Sequence, residues 1–243
     1  MAGCGNADKW EEAKDSGWNF FQVPSIRLSG GIMVLWKSDL ATFRVFESSS
    51  QFIIGEIDVQ NKVSWRIATI YGSTDVYKRR KLWEKLQLYS TKDKVLIIGG
   101  DLNCLPNKDD KRGGKIFVYS LGTKEMDYFL VSNDLHEVMG TGPKYTWCNN
   151  KTGADKILER LDRCYLNSVV LSSPHRLVVR KLARVSSDHC PIILNMLNYN
   201  VALKKTIKCE DVWISNPASI AVVKKAWSRK SMGDFSQILN YKL

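Results

Sequence analysis

The stretch that most constrains the fold is residues 95–103, Val-Leu-Ile-Ile-Gly-Gly-Asp-Leu-Asn. Four consecutive apolar residues, three of them β-branched, predict a strand buried on both faces. The two glycines predict a sharp backbone turn, and a carboxylate and an amide follow two residues apart. Residues spaced by two on an extended segment share a face, so Asp101 and Asn103 are expected to point at one substrate atom. A carboxylate binds a metal or an acidic proton, and an amide can donate to phosphate and accept from water. The competing reading is a strand that runs into an Asx-turn and carries no chemistry.

Two further stretches favour chemistry. Residues 185–194 read Val-Ser-Ser-Asp-His-Cys-Pro-Ile-Ile-Leu, which sets Asp188 and His189 at the mouth of another apolar strand. Residues 158–166 read Leu-Glu-Arg-Leu-Asp-Arg-Cys-Tyr-Leu, a strand-like run interrupted by Asp162. Asp162 could equally form a simple ion pair with Arg160 or Arg163.

Gly-Asp-Leu-Asn, then Leu-Asp within a strand, then Ser-Asp-His before the last strand occur here in that order. This series resembles the endonuclease/exonuclease/phosphatase family, which includes pancreatic DNase and the abasic-site endonucleases. Within it, the chain is similar to the endonuclease domain of plant LINE-type retrotransposon polyproteins. Residues 29–36 (Ser-Gly-Gly-Ile-Met-Val-Leu-Trp), Ile70-Tyr71-Gly72, Lys144-Tyr145-Thr146-Trp147 and residues 187–191 (Ser-Asp-His-Cys-Pro) carry that similarity. It covers roughly residues 10–240 and implies an α/β fold, a four-layer sandwich of two stacked, mainly antiparallel sheets flanked by helices.

The resemblance also implies roles. His189 is the proton acceptor or phosphate-polarising group, as suits a side chain whose ordinary pKa lies near neutrality. Asp162 would hold its ring in one tautomer, following the logic of the hydrolase triad. Asp101 and Asn103 would orient the attacking water and grip the phosphate, and Tyr71 would contact phosphate oxygens. Asp188 is the implied carboxylate on the side of a Mg²⁺ ion, with Mn²⁺ as a substitute. The family opens with a strand bearing an asparagine and another ending in Gln-Glu-Thr-Lys, whose glutamate is the main metal ligand. Glu11-Glu12-Ala13-Lys14 imitates that motif, but Asp8-Lys9-Trp10 precedes it instead of an apolar run. The expectation is therefore a chain that starts just after the metal ligand, lacks the opening strands and holds Mg²⁺ weakly.

Charge bears on the partner. Net charge is +11, which favours a polyanion such as DNA without identifying one. No run approaches a membrane span, and six scattered cysteines without a C-x-x-C pair read as reduced intracellular thiols. The expected protein is a monomeric endonuclease domain, in the nucleus or cytoplasm, of the kind normally fused to a reverse transcriptase. Two other readings stay open: an inactive remnant that binds nucleic acid, and a phosphatase of the same superfamily.

Strands are expected at residues 18–23, 32–36, 42–47, 51–59, 63–71, 135–139, 145–147, 158–166, 176–182 and 191–197, with a hairpin through residues 48–50 and a turn at Asn61-Lys62. Residues 75–90 change period and read as an amphipathic helix started by Thr74 or Asp75. Residues 123–133 read as a second helix capped by Thr123, and residues 10–14 and 217–227 as short helices. Asp109 and Asp110 read as part of a solvated loop, whose glycines and basic residues could touch DNA. Lys144, Thr146 and Trp147 are candidates to approach a phosphate or a flipped base, with packing between the sheets as the alternative for Trp147. Residues 1–198 form the expected catalytic domain, and residues 199–243 a connector.

Overall fold

A computed structural model describes residues 17–25, 30–60, 63–172 and 175–198, with positions 220, 221, 224, 225, 227 and 228. The readings of residues 10–14, of the turn at Asn61-Lys62 and of most of the connector lie outside the described residues. The chain divides into two compact units, Met1–Asn200 and Val201–Leu243. In the second, positions 220, 221, 224, 225 and 227 are helical.

The first unit is built on β-branched and aromatic runs that alternate between two faces. β1 (Trp18–Val23) and β2 (Ile32–Lys37) form an antiparallel hairpin. β3 (Ala41–Ser49), β4 (Phe52–Val59) and β5 (Val63–Tyr71) follow as an antiparallel meander. β6 (Leu96–Asp101) then joins β5 in parallel. A parallel neighbour needs a crossover, and α1 (Val76–Gln87) supplies it. Asp75 starts this helix: its carboxylate accepts from the Tyr77 and Lys78 amides at 2.8 and 3.0 Å.

After the short β7 (Lys111–Arg112), α2 (Leu121–Ser132) is capped by Ser120, whose Oγ accepts the Thr123 amide at 3.3 Å. The expected cap, Thr123, lies one turn inside, where its hydroxyl donates to the Leu105 carbonyl. β8 (Leu135–Glu137), β9 (Gly140–Thr141), β10 (Trp147–Cys148), β11 (Leu158–Glu159), β12 (Asp162–Asn167), β13 (His175–Lys181) and β14 (Ile192–Asn198) complete the strands. The run expected as one strand at residues 158–166 is thus two, broken at Arg160-Leu161.

The main sheet has six strands in the order β3-β4-β5-β6-β12-β8. The even-numbered side chains of β5 and β6, Ala68 and Ile70 with Leu96 and Ile98, pack against Leu82, Trp83, Leu86, Met126 and Phe129 of the two helices. The odd-numbered ones of these two strands, Ile97 and Trp65 among them, turn the other way, towards Leu177, Val179, Ile192 and Leu194 of β13 and β14. Stacked, mainly antiparallel sheets with helices outside are the expected sandwich. Between the main sheet and β13–β14 lies an apolar cavity of about 460 Å³.

Candidate active site

β6 is central to the site because its last residue faces two neighbours at once. Asp101 is in register with Tyr71 at the end of β5 and with Asp162 at the start of β12. The glycines before it do not turn the chain as expected. Both lie in the strand, and Gly100, at φ +134°, is there for close approach: a Cβ would stand 2.1 Å from the Ile70 carbonyl oxygen. The turn comes later, at Asn103, whose φ is +46°. Asn103 and Asp101 therefore meet through an Asx-turn and not by sharing a strand face. The Asn103 amide N–H donates to Asp101 Oδ1 at 2.9 Å, and its Nδ2 donates to Asp101 Oδ2 at 3.0 Å and to the Gly72 carbonyl at 2.8 Å.

Asp101 is 8% exposed. Burial pushes its carboxyl up to about 6; the negative Asp162 and Asp188 add to the rise, and the Asn103 N–H and His189 oppose it. A carboxyl in that range is poised to exchange a proton near neutral pH.

His189 Nδ1 and Asp162 Oδ2 are 2.9 Å apart. The hydrogen bond to Asp162 holds the imidazole above its ordinary pKa, against an opposing contribution from burial. The competing ion pairs for Asp162 do not form. Arg163, with a side chain 1% exposed, sits between Asp110 at 2.8 Å and Glu137 at 2.7 Å. Arg160 also pairs with Glu137 and lies 3.6 Å from Asp110. Asp110 is accordingly buried, and not the solvated loop residue expected from its neighbours. Successive strand side chains take opposite faces, so anchoring Arg163 on one side leaves Asp162 to the other, where His189 is.

Thr146 is fully buried. Its Oγ1 accepts the backbone N–H groups of both Leu161 and Asp162 at 3.0 Å, while its carbonyl accepts the Cys190 N–H. Trp147 forms an isolated bridge with His189, and its indole N–H donates to Asp188 Oδ2 at 3.0 Å. Lys144 stays exposed, with its ammonium over the Tyr145 ring. Thr146, a candidate from the sequence, joins this neighbourhood as a buried anchor of the backbone, and nothing in the sequence announces Asp110 as a member. The one available signal was the pair of arginines flanking Asp162, which need carboxylates if they are buried.

Tyr71, Asp101, Asn103, Asp162, Asp188 and His189 thus converge at one end of β5, β6 and β12. Among the described residues no three His, Cys, Asp or Glu side chains cluster with the spacing of a metal cage. Asp188 Oδ1 has no hydrogen-bond partner among them, which suits a hard cation bound through one or two carboxylates plus water and phosphate oxygens.

No protein-family model matches the sequence, and no curated protein matches it. Solved structures do match in fold. The 3′ phosphatase NExo from Neisseria, bound to a product DNA hairpin, superposes with a TM-score of 0.55 at 16% identity, over 76% of this chain and 82% of that one. An AP endonuclease from Archaeoglobus fulgidus gives 0.55 at 13% identity over the same shares. The chain has the DNase-like α/β sandwich fold of these proteins.

Proposed function

We propose that the chain is a metal-assisted phosphodiesterase acting on DNA, of the retroelement endonuclease type. The observation that carries this is the Asp162–His189 pair, held at 2.9 Å beside the Asp101–Asn103 couple across one strand pairing. Hydrolysis of a phosphodiester needs an activated water and a way to neutralise phosphoryl charge. Asp101 orients the water and accepts its proton. Asn103 fixes that carboxylate in place. Asp162 engages Nδ1 of His189, so Nε2 faces the substrate and hydrogen-bonds a phosphoryl oxygen as an imidazolium. Tyr71, one strand away, steadies a second oxygen. Asp188 with substrate oxygens would hold Mg²⁺ or Mn²⁺, which supplies Lewis-acid charge neutralisation. The +11 charge suits a polyanionic substrate, and nicking of target DNA to prime reverse transcription is the finer reading that the sequence resemblance supports.

The test is nicking of supercoiled plasmid with Mg²⁺ added, by the whole chain. Cleavage is expected to fall by about 10²–10³-fold in His189→Ala, in line with loss of one charged donor to the phosphoryl oxygen. Wild type inert on plasmid but active on a 3′-phosphorylated DNA end would make this a phosphatase. Inert on both, yet binding DNA, it would be a nucleic-acid-binding remnant.

A further inference from the structure

The two helices on the main sheet lie side by side and run the same way. Their contacts advance in step: Gly122 abuts Val76 and Arg79, Arg80 Nε donates to Glu125 at 2.8 Å, and Trp83 stacks on Phe129. Parallel helices leave a groove on their outer side, and the Arg80–Glu125 ion pair forms its floor.

Helical spacing sets the walls. Residues three, four and eight positions apart share a helix face. Tyr77 and Leu88 therefore stand on the side of Arg80, and Leu121 and Tyr128 on the side of Glu125. They are 65%, 71%, 48% and 72% exposed in that order. Single exposed apolar residues are ordinary on a monomer, whereas four along one groove mark an interaction surface, and tyrosine is enriched where proteins meet.

Charge around the groove decides what fits it. The two helices carry Lys78, Arg79, Arg80, Lys81, Lys85 and Lys124 against Glu84, Glu125 and Asp127. All three acids are engaged: Glu125 by Arg80, Glu84 by the nearby Arg80 charge, and Asp127 by the Tyr119 hydroxyl. Arg79 is buried and Lys85 pairs with Glu47. Lys78, Lys81 and Lys124 are exposed and form no ion pair among the described residues. The rim is thus positive. A second copy docked by the same face would set these lysines against each other. A lipid surface would draw the ion pair of the floor towards hydrocarbon, at a cost. A nucleic acid would use the lysines and leave Leu88 and Leu121 without a partner.

We propose that this groove docks an amphipathic helix of a partner protein, apolar along one stripe and acidic on both flanks. The stripe packs on Tyr77, Leu88, Leu121 and Tyr128, and the flanking carboxylates reach Lys81 and Lys124. The wall from Tyr77 to Leu88 is about 16 Å long at 1.5 Å per residue, the length of three turns of the partner. This docking is independent of the proposed chemistry.

The experiment titrates the whole chain into a fluorescein-labelled helical peptide of about 18 residues, with leucines at i, i+4, i+7 and i+11 and glutamates on both flanks, and reads anisotropy. The wild type should bind it, and the same peptide with lysine for glutamate should bind at least about tenfold more weakly. Tyr128→Ala should weaken binding by about tenfold, the scale of one interface anchor. The double variant Lys81→Glu, Lys124→Glu should lose a similar factor. All three positions are exposed, so the thermal melts should match that of the wild type. His189→Ala should bind as the wild type does, and a single-stranded oligonucleotide should not displace the peptide. No binding, binding that survives Tyr128→Ala, or displacement by the oligonucleotide overturns the proposal. Phosphatidylserine vesicles bound through Tyr128 in place of the peptide would overturn it too, making the groove a membrane surface. None of these outcomes touches the proposed function, which the plasmid assay tests separately.

Discussion

The two faces of the six-stranded sheet are made by the same strands and are finished differently. On the helix side, Ile54, Leu82, Leu86, Leu96, Ile98 and Met126 are all at most 1% exposed, and Trp83 stacks on Phe129 with ring centroids 5.0 Å apart. On the other side, Ile97, Trp65 and Cys164 border about 460 Å³ of space that β13 and β14 do not fill. Alternation along β5 and β6 makes both faces apolar, but only a facing element can make a face close-packed. Stability should therefore be concentrated on the helix side. The cavity side is the soft one, and the candidate active site sits at the strand ends they share.

The contrast is broken most directly by truncation. Leu86→Ala should cost about 3–5 kcal/mol, because its neighbours cannot collapse into the gap. Leu177→Ala, on the cavity, should cost about 1–2 kcal/mol, since that leucine is only partly buried and borders open space. Urea unfolding of both variants measures the difference, and equal losses would mean that the cavity side is as tightly closed as the other. Next in size is Gly100→Ala, which should destabilise by about 2 kcal/mol or more through a strained φ and the clash with Ile70. A mild effect would show that β5 and β6 can separate at their ends.

Asp101→Asn sharpens the comparison at the point where the faces meet. The folded pKa of about 6 lies above the ordinary 3.8, so the native state binds this proton more tightly than the unfolded chain does. That stabilisation is complete below about pH 4 and is lost as pH rises through 6. The variant should thus be more stable than wild type by about 3 kcal/mol at pH 8, by about half of that at pH 5, and by little below pH 4. Thermal or urea melts at these pH values check this; a gain independent of pH would exclude the buried charge as its cause. Smallest is Gly99→Ala. A Cβ there meets nothing closer than the Arg163 carbonyl at 3.9 Å, and Gly99 lines the cavity. A gain of about 0.4–1 kcal/mol is expected from the stiffer unfolded chain, whereas a loss would show that the cavity collapses in solution.

These contrasts also mark what the sequence made legible. Runs such as residues 95–98 and the capped helix after Asp75 are local signals, and they became β6 and α1 with boundaries close to those expected. Asp162 and His189 were readable because each stands at the edge of an apolar run. What local pattern could not reveal was long-range. Gly100 needed knowledge of Ile70, thirty residues away, to be read as a close approach and not a turn. Asp110 looked solvated among charged neighbours and became buried only because Arg163 arrives from another strand. Thr123 suited an N-cap, but its hydroxyl turns inward to the Leu105 carbonyl and Ser120, three residues earlier, caps the helix. The roles proposed for the six converging residues come from the resemblance, and their proximity from the fold.

Thr146 carries a consequence for how the site behaves over time. One hydroxyl oxygen receives the amides of Leu161 and Asp162, and the carbonyl of the same residue receives that of Cys190, next to His189. The carboxylate and the imidazole are thereby fastened to a common post. Thermal motion that shifts one strand end carries the other with it, and the gap between the two rings of chemistry varies less than either position. Such a post makes the site rigid where its members face each other and lets it drift as a unit against the soft sheet behind it. Replacing the hydroxyl with a methyl, as in Thr146→Val, would leave the shape and cut the fastening. Its signature would be a broadened His189 ring resonance in NMR, with a lowered melting temperature because the Leu161 and Asp162 N–H groups lose their acceptor inside the fold, at about 1–3 kcal/mol each.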